Sequence, residues 1–175
     1  MTPTLEQQLA LAPWMRIARN ELGVREEEGD ANNERVVEYL HACRGPRSML
    51  QADSTSWCAA FIAFCLHRAH VRSTDSLGAR SYLRYGDEIP VDQARYGDIL
   101  VFWRGLPLPR SIIRAPGHVA FFDRWLGPTL VTAHNGNQGN QINVLPRKRA
   151  QLLRICRPSA EDLALTDLES RGAGA

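Results

Sequence analysis

Cys58 and His118 are the residue types that a cysteine hydrolase needs: a thiol that can become a nucleophilic thiolate, and an imidazole that can take its proton. Cys58 lies in the stretch Ser54-Thr55-Ser56-Trp57-Cys58-Ala59-Ala60-Phe61-Ile62-Ala63-Phe64-Cys65-Leu66. The stretch opens on small hydroxyl residues, an N-cap signal. Trp57, Phe61, Phe64 and Cys65 then recur at helical spacing, which predicts a helix from about Ser56 to His70 with one buried face. Cys58 falls in its first turn, where backbone N–H groups lack partners and the dipole is positive, so the position favours thiolate over thiol. The plainer alternative is a small buried residue with no chemistry. This stretch alone weighs the two evenly.

His118 opens the apolar run Gly117-His118-Val119-Ala120-Phe121-Phe122, which reads as a strand, and Gly117 leaves space beside the imidazole. A base of this kind needs a group to orient it. The next strand, Thr129 to Asn137, offers His134, Asn135 and Asn137. Asn135 and Asn137 share a parity, so an extended strand puts both on one side. An Asn oxygen can accept the imidazole N–H and fix the tautomer. The run Asn135-Gly136-Asn137-Gln138-Gly139-Asn140 also has the composition of a simple hairpin turn.

These residues must be positioned by a chain of 175 residues, enough for one domain with a real core. Residues 1–12 read as a polar lead-in, a frayed turn at most. Pro13 starts a helix that ends at Gly23, with Trp14, Ile17, Ala18 and Leu22 on its apolar face. Glu26 to Asn33 is an acidic loop. It lacks the ligand pattern of a calcium loop, and a solvated loop capping the next helix is its plainer reading. Asn33 caps a helix carrying Val36, Val37, Tyr39 and Leu40, and Gly45-Pro46 breaks it. Ser76 to Tyr85 reads as a further short helix. The period then changes: strands are expected at Ile99–Trp103, Gly117–Phe122, Thr129–Asn135, Gln141–Leu145 and Leu152–Arg157. Residues 158–175 read as a flexible tail. Helices followed by an antiparallel meander make an α+β arrangement.

The order of these pieces resembles the NlpC/P60 and CHAP superfamily of papain-like cysteine peptidases and amidases, which cut peptidoglycan. The matching pieces are Trp57-Cys58-Ala59-Ala60-Phe61, Tyr96-Gly97-Asp98-Ile99-Leu100-Val101-Phe102, Gly117-His118-Val119-Ala120-Phe121 and Asn135-Gly136-Asn137. The lead-in from Pro13 to Leu40 is similar to that of a bacterial and phage subgroup. The resemblance covers residues 13–157. It implies a papain-like fold with N-terminal helices on an antiparallel sheet of about five strands. It also implies Cys58 as nucleophile, His118 as base and Asn135 at the orienting place, with Asn137 as further orienting or oxyanion support. Many CHAP members carry Glu where Asn135 stands, so the third residue stays open among Asn135, Asn137 and His134. The implied substrate is a peptidoglycan peptide, cut at an amide without metal or cofactor. Trp57, Trp103 and Arg110 are candidates for lining its groove, although core packing suits the two tryptophans better and a solvated loop charge suits Arg110.

The bulk numbers narrow the alternatives. A net charge of +2 is too mild for a nucleic-acid binder, and no apolar run reaches the length of a membrane span. The four cysteines form no CxxC pair, so neither a zinc site nor a disulfide framework is expected. His67 and His70 sit three apart with no third ligand nearby and read as structural. No secretory signal is seen. The implied protein is therefore made in the cytoplasm and acts at a cell wall or periplasm, either as an antibacterial effector with a cognate immunity protein or as a phage-type lysin. A protease or deamidase acting on a protein target, or an inactive binding module, are the competing classes.

Overall fold

The computed structural model describes residues 3–29 and 31–164. Its first helix, α1 (Leu5–Leu11), is not frayed. Thr4 and Gln7 close a capping box, the Gln7 N–H donating to Thr4 Oγ1 at 3.3 Å and the Thr4 N–H to Gln7 Oε1 at 2.8 Å. Next come α2 (Trp14–Asn20), α3 (Glu34–Leu40) and a single turn, α4 (Arg47–Leu50). Asn33 caps α3 as its residue type suggests, its side chain accepting from the Arg35 N–H at 2.8 Å. The central helix is α5 (Cys58–Arg68). The helix expected over residues 76–85 is a 3-10 turn, Ala79–Arg84.

Six strands then form one antiparallel sheet: β1 (Asp87–Glu88), β2 (Ile99–Trp103), β3 (Gly117–Leu126), β4 (Leu130–Asn135), β5 (Asn143–Lys148) and β6 (Leu152–Arg157), in the order β1-β6-β2-β3-β4-β5. The class is α+β. The strand beyond the expected five is β1, whose two residues pair Asp87 with Arg157 and Glu88 with Cys156. Pro158 to Ala164, expected as loose tail, contains a capped turn, α6 (Ala160–Leu163), whose Asp162 carbonyl accepts from the Arg72 N–H at 2.9 Å. The rest of the expected tail, residues 165–175, lies outside the described residues.

Period-2 alternation splits the sheet into two faces. Ile99, Val101, Val119 and Phe121 pack beneath the helices, while Leu100, Phe102, Ala120, Phe122, Val131 and Ala133 form a second, smaller core. Residues 58–66 of α5 are all buried, so it is wrapped on every side rather than on one stripe. The N-terminal helices are fixed to the sheet at Tyr96-Gly97-Asp98. Trp14 Nε1 donates to the Gly97 carbonyl at 2.9 Å. A Cβ at Gly97 would come within 2.6 Å of Ala12 Cβ, and its φ of +89° is left-handed, so glycine is required twice over. Asp98 is buried and paired with Arg157 at 2.7 Å, which ties β2 to the end of β6.

Candidate active site

Cys58 is the first residue of α5. The helix start is not capped by the Ser54-Thr55-Ser56 hydroxyls: Trp57 is the capping residue, and its side chain makes no cap bond. The turn after β4 supplies what a local cap would. The Asn137 amide is oriented so that Oδ1 accepts from the Trp57 N–H at 3.1 Å and Nδ2 donates to Glu26 Oε1 at 3.2 Å. Ser56 turns its hydroxyl toward the Cys58 thiol instead.

The backbone N–H groups of Val119 and Ala59 also lie near the thiol and favour its charged form. The sulfur therefore sits against the peptide that follows His118. His118, at the start of β3, is buried, its ring 6.4 Å from that of Phe102. Its Nε2 donates to Asn135 Oδ1 at 3.1 Å, which leaves Nδ1 as the ring atom with a free electron pair. Asn135 is held in turn: Nδ2 donates to the Ala133 carbonyl at 2.7 Å and to Asn143 Oδ1 at 3.4 Å. Asn143 Nδ2 donates to the Gln138 carbonyl at 2.7 Å.

The sequence candidates separate clearly. Asn135 meets His118. Asn137 lies past the end of β4 with a φ of +56°, so strand parity no longer governs it and its amide serves Trp57 and Glu26. His134 is buried against Tyr96, at 5.9 Å between rings, and its Nε2 is 3.7 Å from Asp123 Oδ1. Trp57 is fully buried, tilted against Tyr39 at 5.8 Å, with Nε1 donating to Glu26 Oε1 at 2.8 Å. Trp103 Nε1 donates to the Ala150 carbonyl at 3.2 Å. Arg110 pairs with Glu88 of β1 at 2.9 Å. Gly117 does not open space for the imidazole; a Cβ there would meet Arg80 Cγ at 2.8 Å and the Phe102 carbonyl at 3.0 Å. His67 bonds Asp75 Oδ1 at 3.0 Å. Among the described residues no group of three or more His, Cys, Asp or Glu side chains could hold a metal ion.

Three participants were not visible in the sequence. Glu26 belongs to the loop read as solvated. That loop is anchored by Asp53, whose Oδ2 accepts from the Glu27 and Asn33 N–H groups, each at 2.9 Å. Arg104 and Arg147 join His118, Asn137, Gln138 and Gly139 around a cleft of about 130 Å³. A larger groove of about 560 Å³ runs between α1 and β3, lined by Leu11, Tyr96 and Trp125, and includes neither Cys58 nor His118.

The electrostatics differ from the expected thiolate. Burial pushes the Cys58 thiol up, and this outweighs the hydrogen bonds from Val119, Ser56 and Ala59 and the Arg104 charge, which pull it down. Burial also pushes His118 down to about 3, helped by Arg147 and Arg104 and opposed by the bond to Asn135. The resting pair is a neutral thiol and a neutral imidazole. Such a pair can transfer a proton from sulfur to Nδ1 as the sulfur attacks.

No protein-family model matches the chain. No curated protein matches it either. Among solved structures it is similar to the peptidoglycan hydrolase RipB from Mycobacterium tuberculosis, at 18% identity and a TM-score of 0.46. The match covers 87% of this chain and 65% of that one, so the chain spans about two thirds of RipB. Among the described residues no helix is long and apolar enough to cross a membrane.

Proposed function

We propose that the protein is a peptidoglycan hydrolase of the cysteine amidase or endopeptidase type. The observation that carries this reading is the Cys58 thiol at the start of α5, near the Val119 N–H, with His118 the residue before Val119 on β3 and its Nε2 fixed by Asn135. Cys58 Sγ attacks an amide carbonyl of a wall peptide while His118 Nδ1 takes the thiol proton. The tetrahedral intermediate places its oxyanion at the Cys58 N–H, at the start of α5. His118 returns the proton to the leaving amine. Water, deprotonated by the same Nδ1, then releases the acyl group. The motif order supports a wall peptide as substrate, and with it action at a cell wall or periplasm, as an effector or a phage-type lysin.

The test is digestion of purified sacculi by wild type and Cys58→Ala, with released fragments identified by mass spectrometry. Peptide fragments from wild type alone are expected, and they name the bond. Intact sacculi from several wall types, with folded wild type, would overturn the wall-hydrolase reading and point to a protein substrate.

A further inference from the structure

The cleft beside His118 carries more positive charge than a simple amide needs. Arg147 lies along the Phe102 ring, its guanidinium carbon 4.8 Å from the centroid, and donates to the neutral Gln138 Oε1. Its Nε is buried and has no hydrogen-bond partner. Arg104 follows β2 and is exposed at the same cleft. Among the described residues no carboxylate lies within ion-pair distance of either guanidinium. Arg35, Arg110 and Arg157 are by contrast matched by carboxylates, Arg35 by Glu21 and Glu38, Arg110 by Glu88 and Arg157 by Asp98, and the buried Arg80 is met by the Leu108, Pro109, Ile112 and Pro116 carbonyls.

The two guanidinium groups are also close enough to act on each other and on the reacting pair. Burial, and after it Arg104, disfavours the charged form of Arg147, and burial, Arg147 and Arg104 disfavour protonation of His118. Uncompensated like charges gathered at a half-buried cleft cost free energy unless an anion completes them. An arginine fork presents paired N–H donors that match a carboxylate.

We propose that Arg104 and Arg147 form a carboxylate-binding subsite beside His118, so that the substrate carries a free carboxylate close to the scissile amide. The inference deepens the hydrolase reading and rests on it for the word substrate. It requires that a peptide whose neighbouring carboxylate is amidated binds less well, since the amide offers an N–H where the arginines need an acceptor. Burial is the larger cause of His118 neutrality, and a bound carboxylate offsets the lesser part that comes from Arg147 and Arg104.

The probe is a matched pair of thiol reagents, anionic iodoacetate and neutral iodoacetamide, with labelling at Cys58 followed by mass spectrometry. In wild type, the iodoacetate-to-iodoacetamide rate ratio is expected to exceed that of 2-mercaptoethanol by about tenfold, the worth of one charge-assisted hydrogen bond. Arg104→Gln and Arg147→Gln each lower the ratio several-fold, and the double variant brings it to the 2-mercaptoethanol value. Because Arg147 packs on Phe102, Arg147→Lys serves as a second variant that keeps the charge without the fork, and its ratio falls between. A wild-type ratio equal to that of 2-mercaptoethanol, or a double variant with an unchanged ratio, would overturn the subsite. So would a Cys58 that takes neither reagent. Sacculus digestion is read separately: cut sacculi with an ordinary ratio reject the subsite alone, and intact sacculi with an arginine-dependent ratio reject the wall substrate alone.

Discussion

Nε2 of His118 donates to Oδ1 of Asn135 across 3.1 Å, and both side chains are buried. The bond fixes which ring nitrogen can take a proton. Asn135→Ala leaves the buried N–H without an acceptor and frees the ring to adopt the other tautomer. The loss of such a buried bond lowers kcat by about tenfold to a hundredfold, with little change in KM. Asn135→Asp keeps an acceptor, retains more activity than Asn135→Ala, and moves the acid limb of the pH profile upward, because a carboxylate favours imidazolium. Steady-state rates on a purified wall peptide for the three proteins check this.

The neutral thiol and imidazole pair sets a pH dependence with a definite sign. Burial lowers His118 from the ordinary 6.5 to about 3. Below about 6.5 the unfolded chain takes up a proton at this position while the folded chain does not until about 3. Stability therefore falls as pH drops through that window. His118→Gln, which removes the titration, flattens the decline in urea midpoint between pH 7 and pH 4. The raised Cys58 thiol adds that iodoacetamide labelling in the free protein keeps rising with pH through 9. A labelling rate already level from pH 5 to pH 8 would instead indicate a preformed thiolate and imidazolium pair.

What the sequence made legible was local. The start of an apolar helix placed Cys58, and a glycine before an apolar run placed His118 at a strand start, because both signals lie within a few residues of the side chain they position. The same locality explains the misses. The hydroxyl run before Cys58 looked like a cap, but the capping is tertiary, supplied by Asn137 some eighty residues later. Asn135 and Asn137 share parity only while the chain stays extended, and β4 stops at Asn135. Glu26 carries no signal in an acidic loop, since its carboxylate finds its partners, Trp57 and Asn137, only in the folded chain. Arg147 sits in a strand with a half-exposed pattern, and its reach across Phe102 depends on sheet neighbours. Two-residue β1 has no period to detect.

Gly136 is the close-approach point of the turn that supports the helix start. A Cβ there would stand 2.7 Å from Phe61 Cβ and 2.9 Å from its ring, with no flexible chain end to give way. Gly136→Ala must therefore push the turn off α5, at a cost of about 1–3 kcal/mol as for other overpacked cores. The displacement moves Asn135 and Asn137 together, so kcat falls in the folded fraction as well. Urea unfolding and steady-state rates on the same preparation separate the two effects.

Glu26 is the remaining support of the helix start. Its Oε1 accepts from Trp57 Nε1 at 2.8 Å and from Asn137 Nδ2 at 3.2 Å. Trp57 is fully buried, so Glu26→Ala removes the carboxylate that accepts from its indole N–H. That costs about 1–3 kcal/mol. It also releases Asn137, which then holds the Trp57 N–H less firmly and loosens the residue preceding Cys58. Glu26→Gln retains Oε1, the oxygen that both donors use, and is expected to recover most of the stability. The measurement is the urea midpoint together with hydrogen exchange at the Trp57 backbone amide, which Glu26→Ala should accelerate and Glu26→Gln should largely restore. Equal exchange in all three proteins would mean that Asn137 holds the helix start without Glu26, and that the acidic loop is free of the site.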